Sequence, residues 1–341
     1  MSGAVRASVA GGRPSPSDLV IRPYAGDPDV PALVRIGNAE NEADGIEERF
    51  DEESERVWFG RPSEQFDARR DVVMAELDGQ VVAFAGQEWI DTRDGATRSY
   101  RLWGAVDPAY RGRGIGTALL ADNERRARAL AATHDVELSR AFGSFSAEGR
   151  PASRLLEAAG YEIDRWFFDM TRPSLEGLVD LPLPDGLELR PVASDQRLQL
   201  WRANREAFRD HWGGSDESEA AMNRFFDQPS ADPGLWLIAW DGDEIAAGVI
   251  NAINSEENEA LGVQRGWLSS VFTRRPWRRR GLARALIAKS LIALRDRGMT
   301  SAGLGVDADN RQGALRLYEE AGFAVTERFN AWRKPMDPSA P

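Results

Sequence analysis

Two tandem α/β units, each a mixed, mostly antiparallel sheet with flanking helices, are what the order of this 341-residue chain predicts. Three observations carry that expectation. An apolar run ending at Phe272 enters an arginine-rich turn, then Gly281 and an apolar helical pattern; residues 103–120 repeat the arrangement with Pro108, Arg111, Gly114 and Gly116. A tight-turn signal, Asp-Gly between apolar runs, stands at Asp78-Gly79 and again at Asp241-Gly242. The order then restarts as a whole: Arg190 follows Arg22 by 168 residues, Asp241 follows Asp78 by 163, Gly281 follows Gly114 by 167 and Gly322 follows Gly160 by 162. Such spacing suits duplicated domains with small loop changes and is far too long for a solenoid unit.

The elements follow in order. Residues 1–17, rich in Ser, Gly, Ala and Pro, read as a disordered tail. The first unit, 18–171, opens with a strand at Leu19–Tyr24 and has helices over Pro31–Glu42 and Asp51–Phe59. A hairpin covers Val72–Leu77 and Gln80–Ala85, a strand Tyr100–Val106, a helix reaches Ala132, and a strand Val136–Phe142, a helix Pro151–Ala159 and a closing strand Tyr161–Met170 complete it. Residues 172–186 hold three prolines and two glycines and read as a linker. The second unit, 187–337, repeats the plan: strand Leu187–Pro191, helices near 195–209 and 216–227, hairpin Leu235–Trp240 and Ile245–Ile253, helix to Arg297, strand Ala302–Val306, helix Gln312–Ala321 and strand Phe323–Trp332.

Composition narrows the chemistry. The apolar fraction of 42% suits a globular protein, and no run approaches the roughly 18 apolar residues that cross a bilayer. Nothing marks export, so the cytoplasm is the expected compartment, with no membrane partner. A formal charge of −12 argues against nucleic-acid binding, which needs cationic surface, and makes the arginines at 274–284 a local feature on an acidic body. With no cysteine there is no disulfide, no thiolate metal site and no cysteine acyl-enzyme. With two histidines, His134 and His211, no metal centre is expected.

The turn itself suggests an anion site. The first turn of a helix leaves four backbone N–H groups without partners, and the helix dipole adds positive charge there. Gly281 and Ala283 allow close approach to the backbone, and Arg278, Arg279, Arg280 and Arg284 add cationic reach. A lone Arg-x-x-Gly-x-Ala pattern is equally an ordinary strand-to-helix turn; two copies in one chain favour function.

This order, with Arg-x-x-Gly-x-Gly/Ala after the fourth strand and a later Asn310…Tyr318…Gly322-Phe323 segment, resembles the GCN5-related N-acetyltransferase (GNAT) superfamily, in particular its tandem members of the mycothiol synthase type. The resemblance spans roughly residues 19 to 335. It implies acetyl-CoA as cofactor. The pyrophosphate would lie on Arg278, Arg279, Arg280, Gly281, Leu282, Ala283 and Arg284, and in the first unit on Arg111, Arg113, Gly114, Ile115, Gly116 and Thr117. The fourth strand would hold the pantetheine arm along Val271, Phe272 and Thr273, and along Val106 and Asp107. Asn310 would bond the cofactor. Counted from the Gly-Phe or Gly-Tyr pair, Glu148 stands opposite Asn310 and Leu156 opposite Tyr318, so catalysis is expected in the C-terminal unit.

Direct acetyl transfer needs a neutral amine, a donor for the oxyanion and a proton for the departing thiolate. Tyr318 is the candidate acid, against a purely apolar role on its helix beside Leu315 and Leu317. Glu257, with Glu256 and Glu259 in the loop after the second hairpin, and His211 are candidate bases, against solvated-surface roles. Trp212 and Trp267 are candidate cleft walls, while His134 is expected at the surface, as is the acidic stretch Asn41 to Glu53, with a rim for a cationic substrate as the alternative. The expected activity is acetyl transfer to a primary amine of a small molecule by a monomer or homodimer. A non-catalytic acyl-CoA sensor and a peptide or protein N-acetyltransferase are the alternatives.

Overall fold

The computed structural model describes residues 19–309 and 313–337. Its strands join in one twelve-stranded sheet. The N-terminal half contributes β1 (Val20–Pro23), helices α1 (Val30–Asp44), α2 (Glu52–Phe59) and the short α3 (Ala68–Asp71), then β2 (Val72–Leu77), β3 (Gln80–Asp91), β4 (Thr97–Val106), α4 (Ile115–Ala131), β5 (Ser139–Ala147), α5 (Pro151–Ala158) and β6 (Glu162–Arg172). The C-terminal half contributes β7 (Glu188–Leu189), α6 (Arg197–Ala207), α7 (Glu219–Phe226), β8 (Leu237–Asp241), β9 (Glu244–Ala252), α8 (Ser255–Leu261), β10 (Arg265–Thr273), α9 (Leu282–Asp296), β11 (Ser301–Asp307), α10 (Ala314–Glu320) and β12 (Ala324–Pro335).

Local chemistry explains these elements. Asp78 and Gly79, at φ 50° and 77°, make the left-handed turn between β2 and β3 that matches strand twist. Period-two burial splits each strand between two helical layers. Val249 and Ala247 of β9 pack under α9, with Leu286 and Leu294, whereas Ile250 faces α6 and α7, with Leu200, Trp201 and Phe226. A bulge at Ala246, where Ala239 opposite Ala247 gives way to Trp240 opposite Ile245, carries Ile245 to that second face as well. The N-terminal half repeats the sandwich: Val72 and Met74 face Leu33 and Ile36 of α1, and Val73 and Ala75 face Ile115 and Leu119 of α4.

The strand order is β1-β2-β3-β4-β5-β12-β6-β11-β10-β9-β8-β7. The strand expected to close the first unit, Tyr161–Met170, does not sit beside that unit's β5. Instead β6 pairs antiparallel with β11 (Gly305 opposite Asp169) and with β12, from Ala324 opposite Thr171 to Arg333 opposite Glu162. β12 in turn takes the place beside β5, with Lys334 opposite Phe142. Each half therefore lends its last strand to the other. Sequence periodicity identifies such a strand but not its neighbour.

Two further expectations change. Glu256, Glu257 and Glu259 lie on helix α8, not in a loop, because Asn254 caps it by accepting from the Glu257 N–H and Gly262 ends it at φ 66°. The 172–186 segment lacks regular structure beyond its first residue but is not free: Leu175 is buried in the C-terminal core and Lys289 pairs with Asp180 at 2.6 Å.

Because β5, β6 and β12 satisfy one another across the exchange, neither half has a complete sheet alone. Residues 19–172 and 187–337 expressed separately are expected to aggregate, and to recover a soluble 1:1 complex on co-expression, read by size-exclusion chromatography. A monomeric, cooperatively melting N-terminal fragment contradicts this.

Candidate active site

The site begins as a gap in the sheet. β10 pairs with β9 as far as Thr273, but with β11 only from Arg265 to Trp267. From Leu268 to Thr273 its other edge is open. The hydroxyl of Thr273 is buried without a partner, an orphan of the kind that a bound group satisfies. The gap widens into a cleft of about 1200 Å³ lined by Leu268–Thr273 of β10, the 275–284 turn, Gly305 of β11 and Tyr318 of α10.

At the head of α9 the backbone turns through Arg279 (φ 61°) and Gly281 (φ 79°). The first helical bond runs from the Ala285 N–H to the Gly281 carbonyl, and among the described residues no amide from Arg279 to Arg284 donates to a backbone carbonyl. These amides, with the helix dipole behind them, form a cradle for phosphate. The arginines divide in role. Arg278 is structural: it donates to the carbonyls of Thr273 and Ala207 and to Asp210, each at 3.0 Å. Hydrogen bonds from Arg275 and then Arg278 hold the Asp210 carboxyl down at about 2. Arg280 reaches the Asp185 carbonyl, away from the cleft lining. Arg279 and Arg284 line the cleft and have no carboxylate partner among the described residues, which leaves their charge for an anion.

The N-terminal half carries the same gap in a filled form. β4 pairs with β5 only from Thr97 to Arg101, and the turn at Gly112 (φ 73°) and Gly114 (φ 80°) leads into α4. Arg111 is tied to Asp44 at 2.7 and 2.9 Å, as Arg278 is to Asp210. Here, however, Glu40 also binds Arg111 at 3.1 Å and brings an oxygen 3.5 Å from the Val106 N–H, on the open edge itself. In the other half Glu206 turns away to Arg274. Asp107 accepts from Arg35, and Arg113 donates to the Ala109 carbonyl. Ile115, Gly116 and Thr117 line a cavity of only about 360 Å³, where Leu156 stands in the position of Tyr318. Of the expected cofactor residues in this half, Arg111, Asp107 and Arg113 are thus engaged within the protein.

Tyr318 is buried, edge-on to Phe323 at 6.2 Å, and burial pushes its hydroxyl up to about 12, so it stays protonated and able to donate. His211 also lines the cleft; burial lowers its pKa, leaving a neutral ring whose centroid lies 4.5 Å from that of Phe208 at a tilt of 53°. Glu257 lies outside the cleft lining, buried, where it accepts from the Trp267 indole at 2.9 Å. Trp212 forms an aromatic wall with Phe145 and Phe167, its ring 5.7 Å from Phe167. Asn310 lies outside the described residues. His134, expected at the surface, is half-buried with its Nδ1 2.8 Å from the Tyr100 hydroxyl.

Two residues escaped the sequence analysis. Asp169, on the exchanged strand, lines the C-terminal cleft, and burial together with Glu327 raises its carboxyl to about 6. Its sequence signal is an acid between Phe168 and Met170, directly after the apolar run Trp166–Phe168. Glu48, from the acidic stretch expected at the surface, comes close enough to feel Asp169 and Glu257; crowding by the chain, then those charges, raises it to about 7. Its side chain remains open to solvent, which screens part of that effect.

A carboxyl whose folded pKa exceeds its unfolded value destabilises the fold when charged, and that cost disappears as pH falls. Glu48 and Glu55 at about 7 and Asp169 at about 6 therefore predict a melting temperature that rises from pH 8 to 6.5. Below about 6.5 the depressed histidines act in the opposite sense, since the unfolded chain then takes up their protons more readily. Thermal denaturation at constant ionic strength measures the slope. Replacing Arg279 by Gly, the residue at the matching turn position of the other half, relieves a left-handed side chain. It is expected to keep stability or raise it by up to about 1 kcal/mol.

Comparison with known proteins gives the family of the chain. The model of the acetyltransferase (GNAT) family matches residues 198–323, and that of an acetyltransferase (GNAT) domain matches residues 68–163. A mycothiol acetyltransferase of Geodermatophilus obscurus is 29% identical over 317 residues, covering 91% of this chain and 94% of that protein. One from Streptomyces coelicolor is 30% identical, covering 76% and 79%. The crystal structure of a GCN5-related N-acetyltransferase from Sphaerobacter thermophilus superposes with a TM-score of 0.69 at 27% identity, covering 96% of this chain and 98% of that one. With a GNAT match in each half and relatives of this kind over most of its length, the chain belongs to the GNAT family, as a tandem N-acetyltransferase that uses acetyl-CoA.

Proposed function

We propose that this protein acetylates a primary amine of a small molecule and that the chemistry takes place in the C-terminal cleft. One observation carries the reading: the open edge of β10, the unbonded amides at the head of α9 and the Tyr318 hydroxyl share one cavity. The mycothiol acetyltransferases among the relatives support a small-molecule acceptor.

The residues divide the work as follows. The amides of Arg279 to Arg284 and the side chains of Arg279 and Arg284 hold the pyrophosphate of acetyl-CoA. Val271, Phe272 and Thr273 present free backbone groups to its pantetheine amides and a donor for the thioester oxygen. When bound there, the cofactor supplies an activated acetyl group and a thiol leaving group. Tyr318, held protonated by burial, gives its proton at the sulfur. Apolar walls at Leu268, Phe272 and Leu317 exclude water that would hydrolyse the thioester. His211 and Glu257 remain base candidates, His211 from the cleft wall and Glu257 from behind Trp267.

Titration with acetyl-CoA is expected to give one site per chain, because Glu40 and Arg111 close the N-terminal gap. Replacing Arg279 and Arg284 together by Ala should weaken it by about tenfold or more, as expected for loss of charge-assisted contacts of about 1.5 kcal/mol or more in total. Tyr318→Phe should lower kcat by about 100-fold with acetyl-CoA affinity kept, as for loss of a general acid. Coenzyme A release across a panel of amines measures turnover; an unchanged kcat removes Tyr318 from the mechanism.

A further inference from the structure

We infer that Asp169, carried into the C-terminal cleft by the N-terminal half's strand β6, receives the acceptor as an ammonium ion and takes its proton. The inference rests on the reading of that cleft as the acetyl-transfer site, and it adds a residue from the opposite half and a charge class for the acceptor.

The placement comes from the exchange. β11 borders the open gap, and β6 is the next strand over, about 4.8 Å further on. Asp169 stands opposite Gly305, and a Cβ on Gly305 would lie 3.4 Å from the Asp169 Oδ1. Glycine thus leaves the carboxylate lying over bare backbone on the cleft wall. Among the described residues that carboxylate has no hydrogen bond and no ion pair, although it is only partly exposed. A charged group in such a place is costly unless something bound pairs with it.

Its surroundings specify the sign of that partner. Glu327 on β12 faces it and is held by Arg150 at 3.3 Å. Glu257 on α8 and Glu48 on the α1–α2 loop add negative charge. The cation that bears on it, Arg265 on β10, is already paired with Glu47 at 2.8 Å, and Asp307 on β11 is neutralised by Arg165 at 2.8 Å. The arginines of the cleft lie at the α9 turn, and among the described residues no Lys or Arg pairs with Asp169, so a positive charge is what this carboxylate lacks. The N-terminal half has the opposite arrangement: Arg333 of β12 stands opposite Gly143, the register counterpart of Asp169 opposite Gly305. An ammonium ion would be repelled there.

A free alkyl amine, with pKa about 10 by analogy with lysine, arrives protonated. Asp169 first holds it and then serves as its base, and a carboxyl at about 6 is charged at neutral pH yet basic enough to accept a proton transiently. The nitrogen sheds two protons in becoming an amide. One passes to an Asp169 oxygen, breaking N–H and forming O–H, and goes on to solvent. The other leaves the nitrogen after the nitrogen–carbon bond has formed and passes through solvent to the Tyr318 oxygen, which gave its own proton to the sulfur as the carbon–sulfur bond broke.

The test uses the full chain, putrescine as probe amine and calorimetry at pH 7.5 with coenzyme A present. Asp169→Asn should bind coenzyme A like the wild type but putrescine at least tenfold more weakly. Its release of coenzyme A from acetyl-CoA with putrescine should fall by about 100-fold and lose the acidic limb near pH 6. Glu48→Gln, which leaves β6 intact, should weaken putrescine about threefold and so serves if the first variant misfolds. Wild-type protein that ignores putrescine, a variant that binds it equally well, or a surviving acidic limb overturns the inference. Failure of the wild type to bind coenzyme A would instead sink the reading of the cleft.

Discussion

The pairing of β6 with β12 is the interaction on which the rest depends. Both strands end their own halves, yet each is hydrogen-bonded on both sides only because the other half supplies a neighbour. Unpaired backbone groups in the middle of a sheet cost as much as lost hydrogen bonds, so the seam fixes how the halves meet. It also fixes the clefts, because each gap opens one strand away from a borrowed one. The loops crossing the seam follow suit: the Gly213 carbonyl accepts from the Arg93 N–H, and Arg265 reaches back to Glu47.

Within that frame the two halves use one plan to opposite ends. The Arg111–Asp44 and Arg278–Asp210 ties occupy matching places and do the same job, anchoring a glycine turn to the helix beside it. One divergence is in the direction of a carboxylate. Glu40 turns toward the open edge and neutralises its neighbour, whereas Glu206 turns to Arg274 and leaves the gap clear. The N-terminal cavity measures about 360 Å³ and the C-terminal cleft about 1200 Å³. The fold is common to both halves; the chemistry depends on which polar groups are left without partners.

Much of this was legible in the chain itself. Asp-Gly turns, period-two strands and the paired glycine–arginine bends depend on neighbours a few residues apart, and those elements appear where the sequence places them. The place of Tyr318 on the last helix was legible for the same reason, through its spacing from Gly322-Phe323. What could not be read depends on contacts between distant segments. Nothing in Tyr161–Met170 states that its neighbour is a strand some 160 residues later, so Asp169 looked like one more charge in a half expected to be silent. Arg278 and Arg280 looked equivalent to Arg279 because charge is visible in sequence and ion pairing is not. The α8 helix was missed because seven residues are too few for periodicity to separate helix from loop, though Asn254 and Gly262 marked its ends.

The segment joining the halves has a meaning beyond connection. Two separate identical chains exchanging their last strands would form a symmetric pair, and every substitution would appear twice. An acid placed to welcome a cation in one cleft would stand in both, and a glutamate stoppering one gap would stopper its twin. Because residues 173–187 keep the halves in one polypeptide, the borrowed strands are free to differ, with aspartate on one and arginine on the other. Covalent fusion is thus what lets two lobes of one ancestry share a seam and still present different side chains in their clefts.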